Sequence, residues 1–312
     1  MTNTTLPTIY IAGPTASGKS ELALRLAERF DSVIISADSM QIYRGLDIGT
    51  AKVAKEVRDR FEHKLIDVVN FDEEFSVAEF ALQARREIET AQNSGKLPIV
   101  VGGTGLYFES LLYPMNFAHT DKDSELRRRL QSEAEIYGAE ALHSRLRELD
   151  PQTAQRLHPN DVKRVIRALE IVLSTGKTLQ ENADSQTDPD VIMVAFDTQR
   201  EKLYAGINAR VDEMFEQGLV NEVLNIGRFD CQSMQAIGYK EFAGCVYELR
   251  DGEFILSKSE ESRIKDLIKQ HTRNYAKRQL TWFRRYKFIK WFECGDYDGA
   301  LSYIESKIKD FK

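Results

Sequence analysis

The stretch Gly13-Pro14-Thr15-Ala16-Ser17-Gly18-Lys19-Ser20 constrains the fold more than any other part of the chain. It satisfies G-x-x-x-x-G-K-[ST], and it stands directly after the apolar run Thr8 to Ala12 and before Leu22, Leu26 and Phe30 at helical spacing. Strand, glycine loop and helix in that order are what a phosphate cradle requires. The glycines let the backbone curl so that successive N–H groups face phosphate oxygens, and the helix N-terminus adds its partial positive charge. Lys19 supplies a full charge, and Ser20 is a candidate Mg2+ ligand. The loop implies a diphosphate or triphosphate; it does not by itself imply a nucleotide.

Two further apolar runs end in the same manner. Val33 to Ser36 runs into Asp38-Ser39-Met40-Gln41, and Leu97 to Val101 runs into Gly102-Gly103-Thr104-Gly105. Between them Ser76-Val77-Ala78-Glu79 reads as a capping box opening a helix, and Asn93-Ser94-Gly95 closes it. Strands alternating with helices predict an α/β fold, a P-loop NTPase-like, mostly parallel sheet flanked by helices, with ligands bound at the carboxyl ends of the strands. The three loops are therefore expected to converge. Asp38 has three readings at this point: a carboxylate that helps to hold Mg2+, a general base facing the phosphates, or a turn cap.

From Asp121 to about Thr175 the pattern changes to helix after helix, with Leu126 and Leu130, then Ala141, Leu142 and Leu146, then Val165, Ile166, Leu169 and Val172 on the apolar faces. This predicts a small all-helical insertion, so the chain is divided into residues 1–115, 116–190 and 191–312, two parts of one core and the insertion between them. Glu181 to Asp190 is expected to be a loop, Val191 to Phe196 a returning strand, and the remainder mainly helical with a last strand at Phe288 to Phe292. A length of 312 residues suits two domains, and 42% apolar with 29% charged residues excludes wholesale disorder.

The net charge of −6 argues against a uniformly basic nucleic-acid coat. Between Lys258 and Lys290, however, eleven cations stand against Glu260, Glu261 and Asp266. Such a patch, with Tyr275, Trp282, Phe283 and Tyr286 interleaved, suits an RNA backbone and exposed bases, although the aromatics fit a core equally well. No apolar run approaches the roughly 18 residues of a membrane span and the first residues carry no signal-peptide pattern, so a cytoplasmic protein without membrane contact is expected. Cys231, Cys245 and Cys294 are never spaced C-x-x-C and are read as structural thiols.

With these features in hand, the chain resembles the bacterial tRNA dimethylallyltransferases, the IPP transferase family. GPTASGKS at 13–20, SADSMQIYRGLDIGTAK at 36–52, VGGTGLYF at 101–108, HPNDVKRVIRALE at 158–170 and GKTL at 176–179 occur in the family's order. The likeness continues through INARVDEMFEQGLVNEV at 207–223, AIGYKE at 236–241 and YAKRQLTWFRR at 275–285. Val53 stands where the family usually has proline after GTAK, the prolines common before the insertion are missing from Asn116 to Asp121, and no cysteine-histidine zinc finger of the eukaryotic kind is present.

The resemblance implies magnesium-dependent transfer of a prenyl group from dimethylallyl diphosphate to N6 of adenine 37 beside the tRNA anticodon, with release of pyrophosphate. It implies that residues 13–20 hold the prenyl diphosphate, that Arg210 joins Lys19 on it, and that Ser20 is the metal ligand. Asp38 would be the general base and Thr104 a contact at the reaction centre, with Asp38, Ser39, Met40 and Gln41 receiving the adenine. Arg127 and the run Asp161, Val162, Lys163, Arg164 and Arg167 would touch the anticodon stem-loop. A monomer suffices for all of this. The rivals are an adenylate isopentenyltransferase, which prenylates a free nucleotide, and a P-loop kinase using ATP on a small metabolite.

Overall fold

The computed structural model describes residues 6–113, 124–176, 178 and 188–311. The segment Asn116 to Asp121, part of GKTL and most of the expected loop at Glu181 to Asp190 lie outside the described residues. The chain forms two compact units, residues 1–112 with 190–312 and residues 113–189.

In the first unit, β1 (Ile9–Ala12) is buried on both faces, and α1 (Lys19–Arg29) turns Leu22, Ala23 and Leu26 inward. Then follow β2 (Ser32–Ala37), the short α2 (Lys55–Arg60) and a two-residue β3 (His63–Lys64). Helix α3 (Val77–Asn93) opens on the expected capping box: the Ser76 hydroxyl accepts from the Glu79 N–H at 3.2 Å, and the Glu79 carboxylate accepts from the Ser76 N–H at 2.7 Å. Strand β4 (Leu97–Gly102) and α4 (Gly105–Leu112) complete the first stretch.

The second unit contains α5 (Ser124–Tyr137), α6 (Ala139–Leu149), α7 (Pro151–Arg156) and α8 (Val162–Thr175). Leu126, Leu130, Leu142, Leu146, Val165, Ile166 and Leu169 form its core, as the helical spacing predicts, whereas Ala141 is exposed. Asp150 caps α7, accepting from the Thr153 N–H, and Pro151 fills the first helical position where its missing N–H costs nothing.

The chain then returns to the first unit as β5 (Ile192–Asp197), α9 (Arg200–Glu216) and α10 (Leu219–Ile226), followed by the hairpin β6 (Tyr247–Arg250) and β7 (Glu253–Leu256). The 26-residue α11 (Lys258–Phe283), β8 (Lys290–Glu293) and α12 (Tyr297–Asp310) end it. The hairpin corrects the expectation of helix in this region. Asp251-Gly252 is the turn, with both residues at positive φ, a strong hairpin signal that the exposed and irregularly patterned flanks obscure. The last strand also starts two residues later than the apolar pattern suggests.

The six-stranded sheet has the order β3-β2-β4-β1-β5-β8 and is parallel throughout. Ile9, Ile11, Ile34, Ile99, Val194 and Phe196 form one core with Leu22 and Leu26 of α1 and Leu301 and Ile304 of α12. Ala37, Gly102 and Ala12 stand in one register row across β2, β4 and β1. The three loops named from the sequence thus leave the sheet side by side and at the same level.

Candidate active site

The loop after β1 takes the conformations its glycines permit, with Gly13 at φ +151° and Gly18 at φ +84°, and Ala16 also left-handed at +60°. Nothing larger than glycine fits at 18, where an added Cβ would lie 2.3 Å from the Tyr297 hydroxyl. The Lys19 ammonium donates to the Pro14 carbonyl at 3.1 Å, folding back over the loop. Burial pushes its pKa down to about 8; the Arg210 guanidinium adds to the shift, and Asp38 opposes it. Arg210 comes from α9, half the chain away, and donates to the Thr15 hydroxyl at 3.3 Å and the Ala51 carbonyl at 3.4 Å. It too is lowered by burial, with Asp38 again opposing.

On the facing loop the Asp38 carboxylate accepts from the Met40 N–H at 2.9 Å, so the turn-cap reading is correct as geometry. It does not exhaust the residue, which also lines two adjoining cavities. The larger, about 360 Å³, is bounded by Lys19, Asp38, Met40, Arg210 and Tyr275, with Ile207, Val211, Met214 and Ile268 as apolar wall. The smaller, about 60 Å³, has Ser20 and Gln41 in its lining together with Lys19, Asp38 and Arg210. Thr104, the last residue of the short loop between β4 and α4, accepts from the Ser39 N–H at 3.0 Å. Gln41 accepts from Ser36 at 3.0 Å and donates to the Thr50 and Ala51 carbonyls. Lys19, Asp38 and Arg210 therefore meet, and Thr104 is tied to them through Ser39.

Residues that the spacing of motifs does not single out hold this arrangement. Glu222 of α10 accepts from three consecutive backbone N–H groups, Asp47 at 2.9 Å, Ile48 at 2.7 Å and Gly49 at 3.0 Å, and from the Tyr239 hydroxyl at 2.7 Å. The phenol, raised by burial and by the Glu222 charge, stays protonated and keeps donating. Gly49 is obligatory here because a Cβ would come within 2.5 Å of the Tyr239 ring. The loop so anchored carries the Thr50 and Ala51 carbonyls that hold Gln41 and Arg210. Gln279 of α11 binds two of the three site loops, accepting from the Thr15 N–H at 3.1 Å and donating to the Gly103 carbonyl at 2.9 Å. Both residues lie inside the blocks GLVNEV and YAKRQL that resemble the family, which was the one signal available for them.

A sequence profile of the family described as IPP transferase matches residues 41–286. The chain belongs to the IPP transferase family. A relative from Caldanaerobacter subterraneus named tRNA dimethylallyltransferase is 44% identical over 318 residues, covering 96% of this chain and 98% of its own. Another of that name, from Oceanobacillus iheyensis, is 43% identical over 96% of this chain and 94% of its own. Among solved structures, a tRNA isopentenylpyrophosphate transferase from Bacillus halodurans superposes with a TM-score of 0.69 at 38% identity, over 98% of this chain and 97% of that one. A eukaryotic dimethylallyltransferase acting on tRNA gives 0.75 at 29% identity, over 93% of this chain and 74% of its own.

Other positions singled out in this IPP transferase family member lie in the helical unit. Arg127 of α5 forms a two-pronged bond with Glu170 of α8, at 2.6 and 2.8 Å, and Arg167 reaches the same buried carboxylate at 3.3 Å. Arg164 is 73% exposed at its side chain and pairs with Asp161 at 3.3 Å, while Lys163 is exposed and Val162 half-buried against the helical core. In the first unit the basic stretch is partly spent on the fold: Lys269 pairs with Asp212, Arg284 with Asp197 and Arg285 with Glu109. Of its aromatics, Phe283 is core, edge-on to Phe108, and Trp282 lies against Gly105 beneath Arg285. Tyr275 faces the larger cavity, where burial and then Asp38 push its hydroxyl up to about 12. All three cysteines are free thiols. No helix among the described residues is long and apolar enough to cross a membrane.

Proposed function

We propose that this protein transfers the dimethylallyl group of dimethylallyl diphosphate to N6 of adenine 37 in the anticodon stem-loop of tRNA. The observation that carries the reading is the single crevice in which one carboxylate, Asp38, stands with two half-buried cations, Lys19 and Arg210, beside an apolar wall. Membership of the family and the names of its relatives supply the substrate class. Lys19 and Arg210 grip the diphosphate, the apolar side chains take the prenyl group, and the backbone and side chains of Asp38 to Gln41 receive the adenine. The new bond joins N6 to C1 of the prenyl group as the C1–O bond breaks; pyrophosphate leaves and the N6 proton goes to Asp38. An adenine amine is a weak nucleophile, so neutralising the leaving group and fixing its distance from the amine carry as much of the rate as the base does.

Magnesium fits the donor set. No group of three or more His, Cys, Asp or Glu side chains able to hold a metal occurs among the described residues, but the Ser20 hydroxyl and the Asp38 carboxylate line the same small cavity. That sparse set suits an ion that keeps several waters and takes its remaining ligands from a diphosphate. Bound there, with Ser20 as its protein ligand, Mg2+ would supply further neutralisation of the leaving group. In the helical unit, Arg127, Lys163, Arg164 and Arg167, with Asp161 and Val162 between them, are the proposed contacts to the stem-loop. We take the enzyme to act as a monomer in the cytoplasm.

The test is incubation of the protein with Mg2+, labelled dimethylallyl diphosphate and an unmodified stem-loop carrying adenine 37, beside AMP as the competing acceptor. Label in the RNA alone supports the proposal. Label in AMP moves the protein to nucleotide prenylation, and label in neither, with ATP consumed in a parallel assay, makes it a kinase.

A further inference from the structure

Gln279 ties together the loops after β1 and β4, as Arg210 ties those after β1 and β2. Gln279 is 5% exposed, and both ends of its amide are engaged with loops that follow different strands. Its oxygen accepts from the Thr15 N–H in the loop that carries Lys19, and its NH2 donates to the Gly103 carbonyl in the loop that carries Thr104. Thr104 in turn accepts from the N–H of Ser39, the neighbour of Asp38. One side chain thus joins the diphosphate side of the crevice to the acceptor side.

The local sequence is shaped around that side chain. A Cβ on Gly103 would lie 2.1 Å from the Gln279 nitrogen and 3.3 Å from the Gly13 carbonyl, so glycine at 103 is what lets the amide enter. The partners demand an amide as well, because one is a donor and the other an acceptor. A carboxylate would set a second oxygen against the Gly103 carbonyl, and a shorter amide would not span both loops. The diphosphate loop also has its own bond from Lys19 to Pro14, the loop after β4 is held by the bond from the Thr104 N–H to the Ala37 carbonyl, and the loop after β2 by that from Met40 to Asp38. Loss of the bridge therefore leaves the loops formed but frees the diphosphate loop from the loop after β4, with Arg210 still linking it to Ala51.

We propose that Gln279 is a positioning residue, holding the loop that binds the prenyl diphosphate against the Gly103-Thr104 loop and so, through the Thr104–Ser39 bond, setting its separation from Asp38. The inference rests on the function proposed above. Displacing reactants by about 1 Å from a near-attack arrangement costs on the order of 100-fold in rate. Gln279→Ala is therefore expected to lower kcat by about 30- to 100-fold while leaving the affinities for a non-reactive dimethylallyl diphosphate analogue and for the stem-loop each within about threefold of wild type.

The conservative variant Gln279→Glu adds a readout that loss of packing does not move. As a neutral acid, its O–H donates to the Gly103 carbonyl and its other oxygen accepts from Thr15; as a carboxylate it repels Gly103. Its turnover relative to wild type at the same pH should be within about threefold at pH 6 and fall toward that of Gln279→Ala by pH 9, because neutralising a buried carboxylate removes the repulsion. Lys19, Asp38, Arg210, Tyr275 and Arg278 line the same cavity in both proteins, so the ratio isolates the change at position 279. The proposal is overturned if Gln279→Ala turns over normally, if its substrate affinities fall together with kcat, or if Gln279→Glu never exceeds the alanine variant between pH 6 and 9. Should the alanine variant not fold, the glutamate pH profile decides alone. Wild-type protein that labels no RNA would instead overturn the proposed function, an outcome distinct from all of these.

Discussion

The lowered basicity of Lys19 turns diphosphate binding into a titration. In the free protein burial and the Arg210 guanidinium hold the ammonium at about 8 against an ordinary 10.5. A diphosphate on the loop brings several negative charges against it and returns the bound pKa to the ordinary range or above. Bound protein thus keeps a proton that free protein loses as pH rises through 8, and by linkage affinity must fall over that interval. Taking 8 for the free state and a bound value above the window, affinity falls about 25-fold between pH 7.5 and 9.5, approaching tenfold per pH unit at the upper end.

The ligand for this measurement is dimethylallyl S-thiolodiphosphate, which does not transfer its prenyl group and is fully ionised over the window, at fixed low Mg2+. Calorimetry in buffers of differing ionisation enthalpy should find about 0.8 proton taken up per ligand at pH 8.5. Lys19→Met should bind more weakly at every pH and lose both the slope and the uptake. A wild-type affinity flat from pH 7.5 to 9.5, or an equal slope in Lys19→Met, would refute the reasoning, since the titration could then not be credited to Lys19.

Removal of the base and of its supports should separate chemistry from folding. Asp38→Ala is expected to slow the chemical step by about 100-fold or more with little change in RNA affinity, as single-turnover labelling would register; a wild-type rate would take Asp38 out of the mechanism. Glu222→Ala orphans two part-buried N–H groups and the Tyr239 hydroxyl, which at about 1–2 kcal/mol each amounts to about 3–6 kcal/mol; a urea titration with a loss below about 1 kcal/mol would mean that the loop re-forms its bonds elsewhere. Neutralising Arg164 and Arg167 together should reduce the log–log salt dependence of stem-loop binding by about 2 at most, and an unchanged slope would exclude them as phosphate contacts.

What could be read from the sequence depended on how local its cause was. Apolar runs that end abruptly in glycine or polar clusters announce buried parallel strands and their loops, and a Ser-x-x-Glu before an apolar face announces α3, because each signal is complete within a few residues. Lys19 could be named from the glycine-loop motif and Asp38 from its place just after β2, whereas the role of Thr104 came only from the resemblance. The hairpin of β6 and β7 was missed for the converse reason: β6 is exposed throughout and β7 turns only Phe254 and Leu256 inward, too short an alternation to stand out, which leaves Asp251-Gly252 to mark it. Strand β3 has two residues and owes its existence to pairing with Ile34 and Ile35. Gln279 and Glu222 make their decisive bonds to residues more than 170 positions away, so no spacing within their own helices reveals what they hold.

The strand order explains why such distant ties are needed. β1 and β2, whose loops carry Lys19 and Asp38, are separated by β4, so their carboxyl ends stand about two strand spacings, or about 10 Å, apart. That gap leaves room for a prenyl chain between a gripped diphosphate and an attacking amine. The loop of the intervening strand, with Gly103 and Thr104, rises in the middle. Sheet pairing sets the separation only up to the register row of Ala12, Gly102 and Ala37. Beyond it the loops after β2 and β4 are joined directly by the Ser39–Thr104 bond, but the distance of the β1 loop from them must be imposed from outside. Helices α9, α10 and α11 do so with one long polar side chain apiece, Arg210, Glu222 and Gln279, each reaching backbone or side-chain atoms of these loops. A site assembled in this way tolerates change on the surface of those helices but not a shortening of any of the three.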